Sequence, residues 1–393
     1  MNSQALTLTK YHVAPAGAPA KIFLAFLATA GIFYINIMPA LVSGLIDDLG
    51  FSNQQAGYIS SANLYGASLG ALAAVALVRR IHWKQWSFVL LLGILVLDFA
   101  SIYLTQPVML AALRFLHGLV GGLLVGIGFA VISRTGDADR AFGYLLFIQW
   151  GFGGLGLMYL PGLVPDYGVA VLFYALMLFT AVTLLMLPFL PDFAIAQTRP
   201  ASTGEFRPGK ALLLTLTAIF LFQAANMGLF AYVIGLGRNK GLTLEYISPA
   251  LALASWIALA GSALVIALGT KHGRTRPLLI GILITALATW LLHYSGYHWV
   301  YGGFNILIGI TWAFALPYLF GMCSELDPSG KLAALGGFCS KMGLASGPLV
   351  AGILLGENNY TAVINAAAVG LLLCAAAAIW PARGLDSASR KPD

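Results

Sequence analysis

Charge is what this 393-residue chain has least of. Asp, Glu, Lys and Arg together make up 9% of it, against about 25% in a soluble domain. That scarcity, with 60% hydrophobic residues and a mean hydropathy of +0.87, excludes an ordinary water-soluble fold. Cysteine is also scarce. Cys323, Cys339 and Cys374 form neither a disulfide framework nor a C-x-x-C metal pattern, so no metal site is expected. No G-x-x-x-x-G-K-[ST] phosphate loop is present, which excludes ATP-driven pumping on that motif. No loop carries a nucleophile or acid–base cluster, so an integral-membrane enzyme is the least favoured class. The net charge of +7 comes from basic residues scattered through short loops, which argues against a nucleic-acid partner. Residues 1–20 lack a signal-peptide pattern, and the apolar run after them is too long for a signal h-region.

Long apolar runs are what the chain has instead. A crossing needs about 20 mostly apolar residues. Punctuation by charge, Pro and Gly gives twelve: 22–46, 55–78, 86–105, 108–133, 141–164, 168–190, 211–236, 246–270, 277–296, 299–322, 332–355 and 360–381. Ser52 with Gln55 forms a capping box at the start of the second. The longest connection, 191–210, is rich in Pro, Gly, Ser and charge and reads as a linker. The domain plan is then a segment 1–21, a six-helix bundle 22–190, the linker, a second bundle 211–381, and a tail 382–393.

Lys and Arg set the orientation. Seventeen fall in the N-terminal segment, the linker, the tail and every second loop. Only Arg238 and Lys240 fall on the other side, and Arg114 and Lys341 lie inside spans, which accounts for all 21. The bias places both termini and the linker in the cytoplasm, in a bacterial inner membrane. The halves also repeat. Arg79 and Lys271 open basic loops 192 residues apart, while Arg140 with Lys331 and Gly156 with Gly347 each lie 191 apart. Internal duplication of this kind is typical of transporters with a site at the repeat interface.

Several local patterns add a family resemblance. The entry to the second span, DLGFSNQQAGYISSANLYGASLGAL, Arg114-Phe-Leu-His117-Gly118 in the fourth, and the loop Thr270-Lys271-His272-Gly273-Arg274-Thr275-Arg276 are similar to signatures of the major facilitator superfamily. The 2–3 loop, with Arg79 and Arg80, is a degenerate copy lacking the acid and the glycine. The fifth span carries Gly151-Phe-Gly153-Gly154-Leu-Gly156 without the proline usual in the family's drug:proton exporters. Gly343-Leu-Ala-Ser-Gly347-Pro348 stands in the eleventh span instead. The resemblance implies an all-α integral membrane fold of twelve helices in two pseudo-symmetric bundles. It also implies spans 1, 4, 7 and 10 around a central cavity, and gives Arg79, Arg80, Lys271, Gly273 and Arg274 a role in conformational loops.

Three charges lie well inside spans: Asp98, Arg114 and Lys341. Intramembrane charges are costly, face a bundle interior or cavity, and usually pair. Asp98 and Arg114 both lie roughly 9–10 Å from the same end of a tight hairpin, so they can pair. Their pairing is either a structural brace or a proton switch that frees Arg114 for an anion. His117 sits one turn from Arg114 and titrates near neutrality when unperturbed. It serves either proton handling or an interhelical hydrogen bond. Lys341 lies roughly 14 Å deep with no acid at matching depth. Tyr34, Asn36, Gln149, Gln223, Asn226, Asn305 and Trp312 supply polar groups within spans. The expected function is secondary transport of a small organic anion by alternating access, coupled to protons and needing no cofactor beyond the proton gradient. Arg114, His117 and Lys341 join those polar residues as the substrate site, and Asp98, Arg114 and His117 carry the proton. The chain is expected to be a monomer in the bilayer. The alternative is a proton-driven exporter of amphipathic compounds.

Overall fold

The computed structural model describes residues 12–78, 80–135, 137–193, 209–269, 273–326 and 331–388. Among them the chain is all-helical. Eleven helices are long and apolar enough to cross a membrane. They are α4 (Asn53–Leu77), α5 (Trp83–Ile102), α6 (Pro107–Ile132), α7 (Ala138–Tyr167), α8 (Ala170–Met186), α9 (Lys210–Ala231), α11 (Leu244–Leu268), α12 (Thr275–Leu291), α13 (His298–Leu326), α14 (Lys331–Leu355) and α15 (Tyr360–Ala388). The expected first span is not one helix. It divides into α1 (Ala18–Ala30), α2 (Phe33–Asn36) and α3 (Met38–Asp47). Two features stand at the breaks. Gly31 lies against Gly121 so closely that a Cβ would collide with the Gly121 carbonyl. Pro39 sits in the first turn of α3, where its missing N–H costs nothing. The seventh span ends early too: α9 stops at Ala231 and a short α10 (Val233–Asn239) follows Tyr232.

Other boundaries move by a few residues. The largest difference is at the end, where helix continues from 381 to Ala388, so the expected tail begins as helix. The Ser52–Gln55 capping box is formed in both directions.

The repeat holds at the level of individual contacts. Helices α4 and α11 are both 25 residues long and start 191 residues apart. A Cβ at Gly70 would meet Leu119 O, and one at Gly261 would meet Ile310 O. Both members of that pair are shifted by 191. Gly118 lies on Asn63 O as Gly309 lies on Ala254 O, and Gly156 faces Ile37 as Gly347 faces Gly228. Small residues at these crossings let helix backbones approach closely, the usual means of packing in lipid, where apolar burial drives little association.

Among the described residues, two groups of hydrogen bonds join α1–α8 to α9–α15. One group lies on the face remote from the linker. There Arg238 pairs with Asp47 and reaches Ser43 Oγ, Asn53 Nδ2 donates to Gly356 O and Glu357 O at 2.9 and 2.7 Å, and Tyr232 Oη donates to Asn53 O at 2.8 Å. The other group lies at mid-helix and consists of Tyr65 with Ser346 and Trp256 with Gly151.

Candidate functional site

A cavity of about 300 Å³ lies between the two sets of helices. The broken first segment brings Ile32, Ile35 and Asn36 to its wall, and α7 adds Gln149, Trp150 and Gly153. From the second set, α9 contributes Gln223, Asn226 and Phe230, and α13 contributes Asn305 and Trp312. The cavity is therefore assembled from both halves of the repeat. Among the described residues its wall contains no Asp, Glu, Lys, Arg or His.

The carboxamides are oriented by their own bonds. Asn36 Nδ2 donates to Gln149 O at 2.6 Å, and Gly153 leaves room beside it, since a Cβ there would stand 3.0 Å from Asn36 Cβ. Asn226 Nδ2 donates to Phe222 O and Asn305 Nδ2 to Tyr301 O, each at 2.8 Å. A backbone carbonyl can only accept, so in all three residues one of the two amide hydrogens is committed to the protein. Asn226 Oδ1 is buried with no hydrogen-bond partner. Leaving such an acceptor unpaired costs about 1–3 kcal/mol. Gln223 differs: its Nε2 donates to Ser340 Oγ and its Oε1 accepts from Trp312 Nε1, both at 2.7 Å. Gln223 thus fixes the indole of Trp312, which also meets Phe230 edge-on at 6.2 Å. The site offers acceptors and aromatic faces to a compact polar molecule.

Arg114, His117 and Tyr34 are absent from that wall. They lie in a closed cluster inside the first half. Arg114 Nη2 pairs with Asp98 Oδ1 at 2.8 Å, and both side chains are 0% exposed. His117 Nε2 lies 3.2 Å from the same oxygen. Asn63 Nδ2 donates to Arg114 O at 3.1 Å and lies 2.8 Å from His117 Nδ1. An amide nitrogen can only donate, so Nδ1 accepts, and the imidazole is neutral with its proton on Nε2 facing Asp98. The rings of Tyr34 and Phe173 cover the guanidinium at 5.3 and 5.4 Å. Arg114, Tyr34 and His117, expected at the substrate site, therefore lie behind the cavity wall rather than on it. Arg114 gives Nη2 to Asp98 and its face to two rings, while its Nε and Nη1 are buried without a hydrogen-bond partner among the described residues; a charge this deep depends on such near neighbours.

Lys341 stands on α14, three residues before Leu344, which lines the cavity. Its repeat mate at an offset of 191 is Trp150, also on the wall. The side chain is half-buried, and its Nζ has no hydrogen bond or ion pair among the described residues. Also among those residues, no group of three His, Cys, Asp or Glu could hold a metal.

The conformational loops are seen in part. Arg79 and Lys271 lie outside the described residues. Arg80 follows α4 in a turn closed by its N–H to Leu77 O. Gly273 takes φ +75°, and a Cβ there would also strike the Asp386 carboxylate. Asp386, on the last helix, accepts from Arg274 N at 2.7 Å, Thr275 N at 3.0 Å and Thr275 Oγ1 at 2.6 Å, while the Arg274 guanidinium pairs with Glu325. Acids from α13 and α15 thus anchor this loop. In the first half Lys21 Nζ donates to Asp137 Oδ2 at 2.7 Å, and this bond holds the Asp137 carboxyl below the usual carboxylate range.

Ser340, which fixes Gln223, was not among the expected site residues. The repeat could have found it, since it is the mate of Gln149 at an offset of 191.

Comparison with known proteins agrees with this architecture. The model of the Major Facilitator Superfamily matches residues 22–343. Crystal structures of the nucleoside transporter NupG share the fold. A point-mutant form superposes with a TM-score of 0.76 at 14% identity, covering 92% of this chain and 98% of NupG. A second NupG structure gives 0.70 at 14% identity, covering 91% and 97%. No curated protein matches the sequence significantly.

Proposed function

The chain belongs to the major facilitator superfamily, and from that premise we propose that this membrane transporter carries a small polar organic solute by alternating access, with protons as the driving ion. The cavity between the repeats is the observation that carries the reading. Its carboxamides and the indole of Trp312 match a solute with several hydrogen-bonding groups and a flat face. The uncharged wall favours a neutral solute of the nucleoside kind, the substrate class in the name of the structurally similar NupG. An organic anion is the second reading, and Lys341 favours it as a cation near the cavity with no hydrogen bond or ion pair among the described residues. An exporter of amphipathic compounds matches the carboxamides less well.

In this reading α1–α3 together form the first crossing and α9–α10 the seventh, giving twelve. The linker and both termini face the cytoplasm of a bacterial inner membrane, and the protein works as a monomer. The proton site is the Asp98–Arg114–His117 cluster. Protonating His117 at Nδ1 turns an acceptor into a donor and expels the Asn63 amide, which couples the proton to the packing of α4 on α6.

A thermal-stabilisation screen of the purified protein tests the substrate reading. Nucleosides, sugars, amino acids and carboxylates are compared at pH 5.5 and 7.5. Stabilisation by nucleosides that disappears in Asn226→Ala supports the neutral solute. Stabilisation by carboxylates that disappears in Lys341→Gln supports the anion. Stabilisation unchanged in both variants removes the cavity from the reading.

A further inference from the structure

The two mid-helix contacts between the halves are mates in the repeat. Tyr65 and Trp256 lie 191 residues apart, each at the centre of a 25-residue helix, twelve residues from the start of α4 and of α11. Each reaches across to a helix of the opposite half. Trp256 Nε1 donates to Gly151 O on α7 at 3.1 Å. Tyr65 Oη lies 2.8 Å from Ser346 Oγ on α14. The serine gives its only proton to Met342 O at 2.8 Å, so the tyrosine is the donor. Met342 is the repeat mate of Gly151. The two seams therefore end on the same backbone carbonyl of the repeat, reached directly by the indole and through a serine by the phenol.

The seats are shaped for these rings. A Cβ at Gly154 would run into the Trp256 indole. Its mate on the other seam, Ala345, is also small and fully buried. Within a bilayer no water replaces a lost partner, so a polar aromatic tip held this way keeps its bond.

We infer that Tyr65 and Trp256 are paired positioning residues, the two fixed points about which the halves rock; this rests on the alternating-access reading above. Their position at mid-helix is the physical reason. The ends of α4 and α11 lie about 18 Å from the central residue. A rotation of about 15° moves those ends by roughly 5 Å, which breaks Arg238–Asp47, Asn53–Gly356 and Tyr232–Asn53 on the far face. At the centre the displacement is close to zero, so the two aromatic bonds survive in both states. Opening one face then obliges the other to close.

The test uses hydrogen exchange on the full chain in lipid nanodiscs. Arg238→Ala removes the ion pair on the far face. In the native background it raises exchange at residues 43–53 and 356–358 and lowers it at the linker-face ends of α6, α7, α13 and α14. In Tyr65→Phe/Trp256→Phe, Arg238→Ala is expected to raise the first set without lowering the second. If the opposed response persists in that background, the two residues are not the fixed points. If the native background gives no opposed response, it is the alternating-access reading that fails. Ser346→Ala with Gly154→Ala, which disturb both seats and spare both rings, give the same readout if the double Phe variant does not fold.

Discussion

Asn63 donates to His117 Nδ1 at 2.8 Å while His117 Nε2 lies 3.2 Å from Asp98. One amide on α4 thereby sets the tautomer of a histidine on α6 and points its proton at a carboxylate on α5. The arrangement accommodates one proton on the imidazole and resists a second. Replacing His117 by Gln keeps a donor and an acceptor and removes the titration. The pH dependence of proton-driven uptake in proteoliposomes should flatten with the fold intact. A profile identical to the native one would place the coupling proton elsewhere.

Arg114 and Asp98 are mutually dependent. Arg114→Ala leaves a buried carboxylate without its cation, a change that costs about 3–5 kcal/mol. Asp98→Asn in the same chain removes the stranded charge and should restore part of the loss. Melting temperatures of the two single variants and the double variant measure the coupling. Additive losses would mean that the pair contributes nothing as a pair.

Repeat mates need not tolerate the same substitution. A Cβ at Gly118 would collide with Asn63 O, whereas one at Gly309 would stand 3.1 Å from Ala254 O. Gly118→Ala should destabilise by about 1–3 kcal/mol or more, as overpacking does, and Gly309→Ala by much less. Equal shifts in melting temperature would show that the first crossing relaxes freely.

Lys21 and Asp137 give a pH dependence with a definite sign. The bond lowers the Asp137 carboxyl below its ordinary value of 3.8. A group lowered on folding adds stability above its unfolded value and loses it as pH falls through the folded one. Native protein should therefore melt above Asp137→Asn by a constant margin from pH 5 to 8, and the two should converge below about pH 4. A margin that persists in acid would assign the effect to something other than this bond.

Much of this was readable from residue order. Eleven apolar runs became long helices, because in lipid a helix is the one local way to satisfy the backbone. The pairing of Asp98 with Arg114 followed from a short hairpin and equal depth. Asn36, Gln149, Gln223, Asn226, Asn305 and Trp312 share one wall, and their common feature in the sequence was polarity inside a span. What could not be read was which polar residue faces inward within its own bundle. Arg114 and Asn305 are repeat mates, yet one is sealed among Asp98, Tyr34 and Phe173 and the other lines the cavity. The difference lies in neighbours from other helices. The close approach of Gly31 to Gly121 was hidden for the same reason, since the two lie ninety residues apart.

The reach of the last helix to Ala388 sets a boundary for anyone who shortens or tags the protein. Ending the chain at residue 381, where hydropathy alone would end it, deletes Asp386 and with it three hydrogen bonds to the first residues of α12. Four free N–H groups at a helix start are normally capped from nearby sequence; here the cap arrives from a hundred residues downstream. A reporter fused after residue 388 preserves that anchorage, and one fused at 381 reports on a transporter whose 8–9 loop has been untied.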